Sequence, residues 1–167
     1  IILDDGTISN ETRLGAVKDI EIAIKSLNIT GDLMVIAGDN LLDFSLVNFI
    51  KYFENKNASC VMRYYEENLD KVKKSAEILI DSNDRVLEMN EKPVSPKSNW
   101  CCPPFYIYNK SDVKKVSIAL KDGCRKDAPG SFIEYLAKES PVYAMEMPGH
   151  RYDIGNLESY KNVCETY

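Results

Sequence analysis

Apolar positions in the first half of the chain switch between two periods. Leu14, Val17, Ile20, Ile24 and Leu27 recur near helical spacing and predict one buried stripe. The polar, turn-rich stretch Asp4 to Thr12 ahead of them predicts the loop that enters this helix. After the Gly31-Asp32 turn, Leu33-Met34-Val35-Ile36-Ala37 is an unbroken apolar run, the pattern of a central parallel strand covered on both faces. Gly38-Asp39-Asn40 ends it, and Asp43 is placed to cap a helix carrying Leu46, Phe49, Ile50 and Phe53. Ala58 to Tyr64 returns as a strand.

In the second half, Ala76 to Ile80 and Val86 to Met89 flank Asp81-Ser82-Asn83-Asp84 and predict an antiparallel hairpin. A loop punctuated by Pro93, Pro96, Pro103 and Pro104 precedes a strand over Phe105 to Tyr108. Helices are expected over Ser111 to Leu120, Ser131 to Ser140 and from Leu157 onward, with a strand over Val142 to Met147. The order predicts an α/β fold with a mixed, mostly parallel Rossmann-like sheet flanked by helices. Without repeats or linkers, 167 residues are expected to form a single domain spanning 1–167. Ile1-Ile2-Leu3 resembles the end of a strand already inside a fold, so the chain is expected to begin within a domain.

Composition removes several classes of function. Lys and Arg number 21 against 26 Asp and Glu, and the basic residues are scattered, so no cationic stripe awaits a nucleic acid. No apolar run reaches the roughly 20 residues that cross a bilayer, and no signal core opens the chain, so a cytoplasmic protein without a membrane partner is expected. The five cysteines are odd in number and lack C-x-x-C spacing, which favours reduced thiols over zinc or a redox pair. Serine-hydrolase, dinucleotide-binding and Walker sequences are absent.

Asp39 follows the most apolar strand, where open parallel sheets place ligands, and is a candidate metal ligand. On local sequence a turn-shaping role for Asp39 or Asn40 weighs equally. Asp153 follows a late strand in the same way, ahead of Gly155. Two hard carboxylates from separate strands, completed by phosphate oxygens and water, are what a magnesium nucleotide asks of a protein. In Glu91-Lys92-Pro93 the proline is expected to push Lys92 into extended backbone, so that the two charges project differently. One would accept from sugar hydroxyls and the other meet a phosphate, against the commoner reading of a solvated charged turn. His150 and Trp100, each the sole residue of its type, read as structural or peripheral.

Leu33 to Leu42 (LMVIAGDNLL), Glu91-Lys92-Pro93 and Arg151 to Tyr160 (RYDIGNLESY) together resemble, in order, three signatures of the sugar-1-phosphate nucleotidyltransferases, with glucose-1-phosphate thymidylyltransferase as the nearest type. Asp127 to Phe132 and Phe105 to Tyr108 resemble further family segments. The resemblance implies a magnesium-dependent enzyme that transfers a nucleotidyl group from a nucleoside triphosphate to a sugar-1-phosphate, releasing pyrophosphate. It assigns the magnesium to Asp39 and Asp153, sugar hydroxyls to Glu91, the sugar phosphate to Lys92, and the nucleobase to the turn at Leu14-Gly15-Ala16. Asn40 is included in the substrate site. Ala76 stands where the family has glycine and is expected to narrow the sugar pocket. The glycine-rich, arginine-containing loop and Lys-Pro that open the family fold have no counterpart in the sequence. The resemblance therefore implies a fold short of its first βα unit and a chain inactive by itself. Homo-oligomers are common in the family and are an expectation here. Rival readings are a nucleotide-sugar-dependent glycosyltransferase, which usually carries Asp-x-Asp where this chain has Gly-Asp-Asn, and a sensing module that kept the pocket.

Overall fold

A computed structural model describes residues 1–166. The stripe read from the sequence forms α1 (Ala16–Ser26). It is followed by β1 (Leu33–Ile36), β2 (Asn40–Leu42), α2 (Val47–Lys56) and β3 (Ser59–Tyr65). After α3 (Leu69–Val72) come the hairpin strands β4 (Ala76–Ile80) and β5 (Val86–Glu91), then β6 (Trp100–Cys102) and β7 (Phe105–Tyr108). The remainder is α4 (Lys110–Val113), α5 (Val116–Lys121), α6 (Gly130–Glu139), β8 (Val142–Glu146), β9 (Arg151–Asp153) and α7 (Leu157–Thr166).

The main sheet runs β1-β7-β3-β6-β4-β5, with β8 pairing β3 on its other side. Alternation along the strands sorts side chains onto two faces. Val61, Tyr106 and Tyr108 pack with Ile78, Met89 and Ala144 against Val17 of α1, Val116 of α5 and Phe132, Ile133 and Leu136 of α6. Cys60, Met62, Phe105 and Ile107 face the other way and pack on Phe49 of α2. Helices thus cover both faces, as the sequence predicts.

The strand directions correct one expectation. Among the described residues only β3 and β8 pair in parallel, and the other pairs of the sheet are antiparallel. The crossover through α2 does give β1 and β3 a common direction. They are not neighbours, however, because β7 lies between them, antiparallel to both. β1 is consequently an outer strand of this sheet.

Local departures have local causes. Residues 1–8 form no strand, and Ile1 and Ile2 are fully exposed. Asp43 does not cap α2; its carboxylate accepts from the His150 backbone N–H at 2.7 Å and pairs with His150 Nδ1 at 2.9 Å. The helix expected over Ser111 to Leu120 divides into α4 and α5. The buried Asp112 is held there by Ser59 Oγ (2.6 Å), Ser140 Oγ (2.9 Å) and Lys115 Nζ (3.0 Å), which ties the short α4 to β3 and α6 before the chain turns. Buried Glu77 accepts from the backbone N–H groups of Lys97 and Ser98 and from Asn90, fastening the proline-punctuated loop to β4. Among the described residues no helix is long and apolar enough to cross a membrane.

Glu21 pairs with Lys18 and Lys25 within α1 and joins that helix to α5 by accepting from Ser117 Oγ. Burial would raise its carboxyl, but the hydrogen bonds from those three groups outweigh it and lower the pKa from 4.5 to about 2. A depressed folded-state value contributes stability that is complete above the unfolded pKa of 4.5 and is lost as pH falls through about 2. Urea midpoints measured from pH 6 to pH 2 should fall less steeply in Glu21→Gln than in the wild type. Parallel curves would remove Glu21 from the acid response.

Candidate functional site

The site lies where β1 and β4 part company. Both pair with the same side of the β6–β7 segment: Ile36 opposes Phe105, and Ala76 opposes Cys102. Between those rungs stand Pro103 and Pro104, which have no N–H to continue a ladder. The Pro104 carbonyl still accepts from Ala37 at 3.2 Å, after which β1 ends. The resulting cleft, about 410 Å³, is lined by Asp39 and Asn40, by Ser75 and Ala76, by Glu91, by Ala128 and Pro129, and by Arg151 and Asp153.

The small sheet of β2 and β9 sets the backbones of the two candidate residues side by side. Asn40 opposes Asp153, and the Ile154 N–H donates to the Asp39 carbonyl at 2.8 Å. Asn40 Nδ2 donates to Asp39 Oδ1 at 2.7 Å, and Arg151 Nη1 donates to Asn40 Oδ1 at 2.6 Å. Asp39 and Asp153 are both exposed to the cleft. No group of three or more His, Cys, Asp or Glu among the described residues could enclose a metal. Two open carboxylates do not make a structural metal site. Hard carboxylates are the donor type that an ion such as magnesium takes beside phosphate oxygens and water.

Glu91 ends β5 inside the cleft, half-buried. Burial raises its carboxyl above the usual range, opposed by the charges of Arg125 and Lys92. It packs on the first turn of α6 so closely that a Cβ on Gly130 would overlap Glu91 Oε1 and stand 2.6 Å from Met89 Cε. The segment Ala128-Pro129-Gly130 therefore shapes the wall facing Glu91. Ala76, 7% exposed, lines the same cleft.

Three expected residues sit differently. Lys92 is not extended: its φ is +51°, its N–H donates to Ser75 O at 2.9 Å, and its side chain is exposed and does not line the cleft. The N–H to Ser75 prolongs the β4–β5 ladder by one bond, and the chain turns away there. Leu14 and Gly15 do not line the cleft either, although Ala16 beside them does. Gly15 adopts φ +95° and ψ 150°, and a Cβ there would lie 2.7 Å from the Lys126 carbonyl oxygen. Its missing side chain makes room for Lys126.

A second cleft of about 460 Å³ adjoins the first and shares Tyr64, Lys74, Ser75, Arg151 and Asp153 with it. Glu66, Lys71, Met147 and His150 complete its lining. Sequence reasoning passed over Tyr64, Lys74, Ser75 and Arg151 as individual site residues. For Arg151 a signal existed: residues two apart on a strand share a face, so Arg151 accompanies Asp153.

A family model for nucleotidyl transferases matches residues 6–167. Among solved structures, apo UDP-glucose pyrophosphorylase superposes with a TM-score of 0.80 at 22% identity, covering 96% of this chain and 62% of that one. UDP-glucose pyrophosphorylase complexed with UDP-glucose gives 0.77 at 22% identity, with 92% and 62% covered. A Bacillus anthracis protein assigned as a glucose-1-phosphate thymidylyltransferase, solved with sucrose, gives 0.70 at 18% identity, with 92% and 61% covered. At these identities the likeness concerns the fold, and the chain spans about three fifths of the length of each structure.

Proposed function

We propose, from the premise that the chain belongs to the nucleotidyl transferase family, that it carries the sugar-phosphate and metal side of a sugar-1-phosphate nucleotidyltransferase site. One observation carries the reading: Asp39, Asn40, Ala76, Glu91 and Asp153, distant in sequence and set on four strands and a turn, line a single cleft.

In the proposed reaction an oxygen of the sugar-1-phosphate attacks the α-phosphorus of a nucleoside triphosphate. The new P–O bond forms as the bond to pyrophosphate breaks, and pyrophosphate leaves with the electron pair. No protein nucleophile is required, so positioning and charge neutralisation are the work left to the chain. Glu91 accepts from sugar hydroxyls at the foot of the cleft, and the Ala76 methyl limits the room beside them. Asn40, fixed by Arg151, holds the Asp39 carboxylate in the cleft. Magnesium held by Asp39 and Asp153 would offset the repulsion between two phosphorylated substrates.

Pyrophosphate release by the protein carrying this chain, assayed against a panel of nucleoside triphosphates and sugar-1-phosphates with and without magnesium, tests the reading. Release is expected only when both substrates and magnesium are present. Silence across the panel from folded protein, or equal release without the sugar phosphate, would contradict it.

A further inference from the structure

We propose that Arg151 is a substrate-binding residue, the cation that receives phosphate oxygens where the two clefts meet. The identity of the anion rests on the nucleotidyl transfer reading; the existence of the site does not.

Four observations converge on this guanidinium. It lines both clefts. It is held in one orientation, with Nη1 bonded to Asn40 Oδ1 at 2.6 Å and its plane centre 5.3 Å from the Tyr64 ring. Its side chain is only 18% exposed, whereas Lys71 and Lys74 beside it are exposed and Lys92 lies outside both clefts. A charge partly withdrawn from water and already oriented attracts an anion more strongly than a mobile surface lysine does.

The fourth observation separates a binding role from a bracing one. Arg151 Nε is shut away from solvent and has no hydrogen-bond partner among the described residues. Buried donors are normally satisfied, and an arginine kept only to brace β2 against β9 would have no use for an empty one. Nε–H is closed off in this arrangement, so a phosphate gains the two-pronged grip of Nε–H and one N–H of Nη2 only once the wall over Nε yields. Asp153 forms an ion pair with the guanidinium at Nη1, its Oδ2 3.6 Å away and too far for a hydrogen bond, and does not occupy the edge of Nε and Nη2. Asn40 holds one side of the group while the other side keeps its donors.

Calorimetric titration of inorganic pyrophosphate into the chain, without divalent metal, tests the inference on wild type, Arg151→Gln, Arg151→Lys and Lys92→Gln. Wild type should bind, and Arg151→Gln should lose at least about tenfold in affinity. Arg151→Lys, which keeps the charge and loses the fork, should fall between them, and Lys92→Gln should stay within about twofold. Backbone amide signals of Asn40 and Ile154 report whether the β2–β9 ladder is intact. If Arg151→Gln disturbs them, Arg151→Lys decides. No binding by wild type, or wild-type affinity in the variants, would overturn the proposal. The assay involves neither nucleotide nor turnover, so it separates this inference from the reaction. Lost pyrophosphate binding in a protein that transfers no nucleotide leaves Arg151 standing. Unchanged binding in an active protein removes only Arg151.

Discussion

Replacing Asp153 with Asn is expected to lower magnesium-dependent pyrophosphate release on the order of 10²–10³-fold, the usual cost of deleting one preorganised electrostatic contact at a reacting centre. The side chain is nearly isosteric, and the backbone rung with Asn40 is untouched, so β2 and β9 should stay paired. Asp153 is exposed and belongs to neither core cluster, so the thermal midpoint should hardly move. Activity lost together with cooperative unfolding would instead describe Asp153 as an ordinary turn residue. Activity retained in the folded variant would remove it from the metal site.

The second large effect is on stability. Gly15→Ala should destabilise the chain by about 3 kcal/mol, near the top of the range for residues forced into a conformation that only glycine adopts readily. At φ +95° and ψ 150° an alanine is strained whatever space surrounds it. Here its Cβ would also meet the Lys126 backbone, whose carbonyl accepts from the Val17 N–H at the start of α1. Urea unfolding measures this directly. A change below about 0.5 kcal/mol, with loss of nucleotide affinity instead, would return Gly15 to the role beside the base that the resemblance implies.

The elements that the sequence announces are those with a local cause. The α1 stripe, the β4–β5 hairpin around Asp81 to Asp84, and α6 after Pro129-Gly130 arise from periodicity and turn chemistry within a few residues. What escaped was decided by distant partners. The apolar run of β1 is that of a covered strand, yet no feature within it tells that β7 will separate it from β3. Asp43 looks like a helix cap until His150, far along the chain, supplies its partner. Lys92 reads as extended because a proline follows, but the ladder bond to Ser75 accompanies a left-handed turn.

The site divides in the same way. Asp39, Asn40, Glu91 and Asp153, which line one cleft, stand out in the sequence because each lies at or beside an element end and falls in a family signature. Tyr64 and the Lys74-Ser75 pair carry no such mark, because they reach the cleft only through the tertiary arrangement around Pro103 and Pro104.

In the proposed site, Asp39 and Asp153 offer one divalent ion a common place at this break. Titration with manganese, which broadens amide resonances near the bound ion, tests it most directly. Early, saturable broadening is expected at Asp39, Asn40, Asp153 and Ile154, removed by excess magnesium and abolished in Asp153→Asn. Broadening centred elsewhere, or equal broadening in the variant, would contradict it.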